Sequence, residues 1–163
     1  MIRVKTLLSI VSLGLILSSC GVQSCDEPLV VDTGVVFMRG GANYTFPMIS
    51  FGGIQKHPTL DKDTVLKRDT IRNAKSLELP LKITSDISSF EICFYPSENM
   101  PPLTDTLTIN HQNTNYFISE DCGCLVFHTI ESIQYTRSRI DSAYIYNPNV
   151  TNEKFQNIIL QFN

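Results

Sequence analysis

Tryptophan is absent from the 163 residues, although six Tyr and nine Phe are present. The Trp platforms that many carbohydrate-binding surfaces use are therefore not available to this chain. Sustained helical periodicity is missing too. The nearest stretch, Asn152 to Ile159, is too short to count as an amphipathic helix with a cap at each end. None of the motifs G-x-S-x-G, H-E-x-x-H, G-x-x-x-x-G-K-[ST] or G-x-G-x-x-G occurs. Gly40-Gly41 and Gly52-Gly53 read as turns without a phosphate-binding frame, and no pair of carboxylates is singled out for glycoside hydrolysis. Positive charge is not in excess: 13 Lys+Arg stand against 16 Asp+Glu. Such a balance gives no electrostatic case for nucleic acid. There is no internal repeat and no low-complexity tract. The expectation is a non-enzymatic domain with no cofactor.

What is present begins at the N-terminus. Arg3 and Lys5 precede an apolar run from Leu7 to Leu17, which ends in Leu17-Ser18-Ser19-Cys20. The run has the flanks and length of a signal peptide and is too short for a comfortable bilayer span. The Leu-Ser-Ser-Cys quartet resembles the bacterial lipoprotein signal. That resemblance implies cleavage before Cys20 and attachment of a diacylglycerol to its sulfur, usually with N-acylation. Residues 1–19 would then be the signal peptide, 20–28 a lipidated tether and 29–163 the folded domain. The mature chain has 144 residues, enough for one core, and a formal charge of −5 once Arg3 and Lys5 are removed. The expected location is the cell envelope, held to the bilayer through Cys20, with the outer membrane favoured.

From Leu29 onward the apolar runs are short, β-branched and aromatic, with turn residues between them. Leu77-Glu78-Leu79-Pro80-Leu81-Lys82-Ile83 alternates strictly, the period of a half-buried strand, with Pro80 on the polar phase as at a sheet edge. The run Tyr44–Phe51 contains Pro47 and reads as an edge or irregular strand. Thr106–Ile109 and Tyr116–Ser119 read as a hairpin closed by the turn-rich Asn110–Asn115, and Leu125–Phe127 and Glu131–Tyr135 as separate strands. Asn157–Phe162 is a natural last strand. The spacing predicts an all-β fold: a single antiparallel β-sandwich or an open barrel-like domain.

The order of pieces is also familiar. A lipobox, an early cysteine, Leu79-Pro80-Leu81, Asp105-Thr106-Leu107-Thr108-Ile109 and Ser119-Glu120-Asp121-Cys122-Gly123 follow one another. Together they resemble a family of uncharacterised small lipoproteins from Bacteroidetes. The resemblance implies an all-β domain and an envelope location and brings no activity. Cys124 departs from the pattern.

With Cys20 assigned to lipid, Cys25, Cys93, Cys122 and Cys124 remain. An exported protein can keep disulfides. Cys93, in Ile92-Cys93-Phe94, reads as a small buried hydrophobe. Cys25 with either Cys122 or Cys124 is the expected bridge, joining the start of the mature chain to the late part of the fold. The alternative is a periplasmic metal- or thiol-handling site, in which Cys122, Cys124 and His128 offer two thiolates and an imidazole to Cu(I) or Zn(II). His57 and His111 fall in separate loops.

Four triplets, beginning at Asp63, Asp69, Asp105 and Asp141, read Asp-(Ser/Thr)-aliphatic, where composition alone would give about one. They resemble the O-glycosylation sequon of exported Bacteroidetes proteins, with Thr64, Thr70, Thr106 and Ser142 as acceptors. An Asp at a turn followed by Thr and an aliphatic is equally how a strand begins. The expected role is binding or accessory, towards an envelope protein or glycan.

Overall fold

A computed structural model of the chain describes residues 30–56, 63–66, 68–97, 100–120 and 122–163. Cys20, Cys25 and His57, and with them the lipid-anchor assignment, lie outside the described residues. Those described residues are all strand and connection, as the alternation predicts.

One sheet contains β1 (Asp32–Arg39), β2 (Ala42–Asn43), β6 (Ser76–Pro80), β10 (Ser142–Ile145) and β12 (Ile158–Phe162). Its centre is β1, which pairs with β12 on one side and with β2 and β6 on the other. The β1–β12 pair is parallel, in contrast to the antiparallel expectation. The second sheet contains β3 (Phe46–Lys56), β4 (Asp63–Val65), β5 (Asp69–Ala74), β7 (Ile87–Tyr95), β8 (Leu103–Ser119), β9 (Gly123–Tyr135) and β11 (Asn149–Val150). The two sheets face each other without closing into a barrel, so the fold is a β-sandwich.

Aromatic rings join the layers. Phe37 of β1 and Phe162 of β12 come from the first sheet, Phe46 of β3 and Phe94 of β7 from the second. Phe37 meets Phe46 edge-on at 5.6 Å between centroids, and Phe162 meets Phe46 at 4.8 Å and Phe94 at 5.2 Å. Edge-to-face contacts of this kind add to the burial of four large side chains, each worth about 1.5–3 kcal/mol. Around them pack Val35, Leu77, Leu79, Ile92, Leu107, Ile109 and Leu160.

Several local expectations are corrected. Asn110–Asn115 is not a turn: β8 runs unbroken through it for 17 residues, paired with β9. Leu125–Phe127 and Glu131–Tyr135 are likewise one strand. A bulge skips Glu131 in the pairing and moves the inward-facing phase from odd to even numbers, so that Ile130 and His128 point to the core below Ile133. Gly52-Gly53 lies inside β3, opposite Glu91 and Phe90, because the chain at Val65 and Leu66 passes too close for a Cβ at Gly52. β3 is paired on both sides, and Pro47 falls at its start, where no ladder partner is needed. Pro80 does lie on an edge strand, as its phase predicts; the strand ends there, the alternation reaches only to the buried Leu81, and Ile83 is exposed.

Beyond its pairing with β7, β8 continues with β9 as a two-stranded arm. The β7 pairing ends at Asn110, and β11 covers β9 only at His128 and Thr129. The arm turns at Glu120–Gly123, where the Cys122 amide donates to Ser119 Oγ at 3.1 Å and Gly123 takes a φ of 72°.

Candidate functional site

Between the base of this arm and β1 lies the segment Thr151–Gln156, which crosses the edge of the sandwich. Its position is set from beneath by Asn157, itself buried. The Gly34 amide donates to Asn157 Oδ1 at 3.0 Å, and the Asn157 amide donates to the Gly34 carbonyl at 2.8 Å. The Asn157 side-chain amide donates in turn to the carbonyls of Asn147 and Asn149. One side chain thus ties β1 to the turn before β11. Gly34 has to be glycine here, because a Cβ would overlap the Phe155 carbonyl.

The result is that Phe155 stands at the junction of two grooves, with 46% of its surface exposed. One groove, of about 600 Å³, runs along Val30, Asp32, Gly34 and Glu78. The other, of about 590 Å³, runs past Asn147 and Asn149 to Tyr116, Ile118 and Phe127 on the arm. The Tyr116 and Phe127 rings stack at 4.8 Å. The first groove is acidic at its floor. Burial pushes the Asp32 carboxyl above the ordinary range, and the neighbouring Glu78 pushes it further, with Lys154 acting against them. Lys154 donates to Glu78 Oε1 at 2.8 Å, and that contact raises its own pKa. Both partners of this pair are exposed, so it contributes little to stability.

A second polar cluster is buried. His111 and His128 lie with their ring centroids 5.1 Å apart, and Asn113 sits between them. Asn113 Nδ2 points to the carbonyls of Lys82, Ile83 and Ser85, so Oδ1 is its acceptor end. That orientation makes both His Nδ1 atoms donors, at 3.0 Å from His111 and 2.6 Å from His128. His111 Nε2 then accepts from Ser88, whose oxygen accepts from the Lys82 amide. Burial lowers the pKa of both imidazoles, and for His128 the proximity of His111 adds to it, bringing it down to about 4. This network pins the loop 82–86 to the arm. The loop position expected for His111 is therefore wrong: it lies within β8 and faces the core.

The residues of the proposed metal alternative are not brought together. Cys124 is exposed on the arm and His128 is buried four residues along the same strand, roughly 13 Å away at the usual strand rise. Metal–ligand bonds near 2.0–2.3 Å cannot span that distance. Among the described residues no group of three or more His, Cys, Asp or Glu is placed to hold a metal ion. Cys93 is buried, as expected, with the Arg68 guanidinium donating to its sulfur at 2.9 Å while pairing with Glu91. Cys93 and Cys124 are free thiols, whereas Cys122 is disulfide-bonded.

The Asp-(Ser/Thr) triplets separate into two kinds. Thr64, Thr70 and Ser142 are exposed. Thr106 is half-buried in the middle of the second sheet, and its Asp105 is wholly enclosed. Asp105 accepts from the Thr136 hydroxyl and from the amides of Ser138, Arg139 and Ile140, at 2.6–3.0 Å. That carboxylate holds the turn between β9 and β10. Sequence reading missed Asn157, Gly34, Asn113 and the role of Asp105, because each acts on backbone that is distant along the chain.

Residues 54–162 match a family described as a family of unknown function, DUF6452. The chain belongs to that family. The matched span starts inside β3 and takes in the arm, the buried histidine network, Asp105 and the Phe155 segment; it leaves out β1 and the residues before it. No curated protein and no solved structure matches the chain.

Proposed function

We propose that this DUF6452 protein is a lipid-anchored envelope protein whose sandwich is a non-enzymatic binding module, with the cleft around Phe155 as its docking site. The anchor rests on the Leu17-Ser18-Ser19-Cys20 signal. The docking site rests on one observation: a half-exposed Phe155 at the meeting of two grooves, one walled by the Tyr116–Phe127 stack and the other floored by a desolvated Asp32. Large aromatic faces beside a partly dehydrated charge are the features that carry binding energy at interfaces.

The partner that fits is an extended segment of another envelope protein. An apolar side chain would cover Phe155. A basic side chain would meet Asp32 and Glu78 and replace Lys154, opposing the burial and the Glu78 repulsion that raise the Asp32 pKa. A photo-crosslinking residue at Asn152 tests this in intact cells, with Met100 as the control position. The expected result is one protein adduct at position 152 that is lost with Phe155→Ala and weakened with Asp32→Asn. Equal labelling at both positions, or an adduct indifferent to Phe155→Ala, would remove the cleft from the proposal, and a glycan adduct would change the partner class.

A further inference from the structure

The arm ends in two aromatic side chains that the core does not use. Tyr116 is about half exposed and belongs to the groove wall; Phe117 is 61% exposed, lies on the opposite face of the arm and is paired with Cys124. Five residues after Phe117, at the arm's turn, is Cys122. Of the five cysteines, Cys93 and Cys124 are free, and Cys122 is not. Only Cys20 and Cys25 remain as partners. On the lipid-anchor reading given above, on which this inference rests, Cys20 carries its sulfur in a thioether and cannot bridge.

We propose that Cys25 is bridged to Cys122 and that the arm tip, with Phe117 foremost, therefore rests on the bilayer surface. Cys25 is five steps along the chain from Cys20, and a fully extended chain spans at most about 3.3–3.6 Å per residue, so the acylated end lies within roughly 17–18 Å of the tip. Aromatic rings are well suited to the headgroup region, where one edge is apolar and the other wet. The bridge forms by thiol–disulfide exchange. The two thiols give up two protons and two electrons to a disulfide-carrying oxidoreductase of the envelope, which is reduced to its dithiol. The chain emerging at Val30 borders the Phe155 cleft, so the docking site also sits at the membrane-facing end.

The absence of tryptophan supplies a clean probe. Phe117→Trp gives the full-length, lipidated protein a single indole at the tip. Met100→Trp places it at an exposed position before the far end of β8, about 45 Å away along the strand. Both variants are reconstituted into phosphatidylethanolamine–phosphatidylglycerol vesicles carrying lipids brominated near the headgroup end of the acyl chain. The expected result is that the indole at 117 loses most of its emission while that at 100 keeps its own, and that Cys25→Ser abolishes the difference. Non-reducing peptide mapping should recover a Cys25–Cys122 linked peptide. Vesicle flotation separates the two ways of failing. Protein that does not float overturns the lipid anchor itself. Protein that floats with both indoles equally bright, or with quenching indifferent to Cys25→Ser, overturns the stapled arm.

Discussion

Asn113 Oδ1 accepts from Nδ1 of the buried His128 at 2.6 Å. Because the other end of Asn113 is committed to backbone carbonyls, the His128 proton is fixed on Nδ1 in the neutral ring. Taking a second proton would place a charge in a desolvated site beside His111; the one carboxylate nearby, Asp86, acts on His111 and not on His128.

Stability should therefore fall in mild acid. The His128 pKa is held down to about 4 in the fold against 6.5 in an unfolded chain. The unfolded state binds the proton first, so the full stability is present above pH 6.5, declines as the pH falls and levels off below about 4. A shift of that size corresponds to about 3 kcal/mol, an order-of-magnitude figure, since one pKa unit is worth about 1.4 kcal/mol. Urea unfolding measured between pH 4 and 7 checks this. His128→Phe should flatten most of the dependence in that range. A midpoint that falls equally in the variant would mean that other groups carry the acid sensitivity.

Asp105 gives the second prediction. Its carboxylate is 1% exposed and accepts four hydrogen bonds, three of them from consecutive backbone amides. Asp105→Ala leaves those donors buried without a partner and should cost about 3–5 kcal/mol. Asp105→Asn keeps the shape but turns an NH₂ towards amide donors, and should lose about half as much. Thermal unfolding ranks the two. Hydrogen exchange should show the loss first at residues 136–140, the turn that the carboxylate holds.

The same residues show what was legible in the sequence. Leu77–Leu81 could be read because alternation is a local signal and β6 lies straight on β1. The sandwich could be read because every apolar run after Leu29 is short. β9 could not, because a bulge opposite Asn110–His111 changes the inward phase halfway along, and an alternation that changes phase looks like two strands. Asn110–Asn115 looked like a turn because its polar residues are those of turns. Here they satisfy one another and the loop 82–86 instead, across about 30 residues of chain. The cleft has no local signal at all: it exists because Gly34, Asn157 and the arm meet.

That meeting point supplies the last prediction. Gly34 and Phe155 both shape the cleft, but by different means, and their variants should separate fold from binding. Phe155 is about half exposed, and truncating it removes contact surface for a partner while leaving the core untouched. Phe155→Ala should therefore leave the unfolding midpoint near that of the parent, as surface changes usually do, within about 0.5 kcal/mol. Gly34→Ala drives a methyl group into the Phe155 carbonyl and separates β1 from the segment that Asn157 holds against it. Relief requires backbone movement, at a cost of about 1–3 kcal/mol. Both variants should lose the Asn152 adduct, and only Gly34→Ala should also unfold at lower urea. If Gly34→Ala is as stable as the parent and still forms the adduct, the close approach of β1 to Phe155 does not shape the cleft.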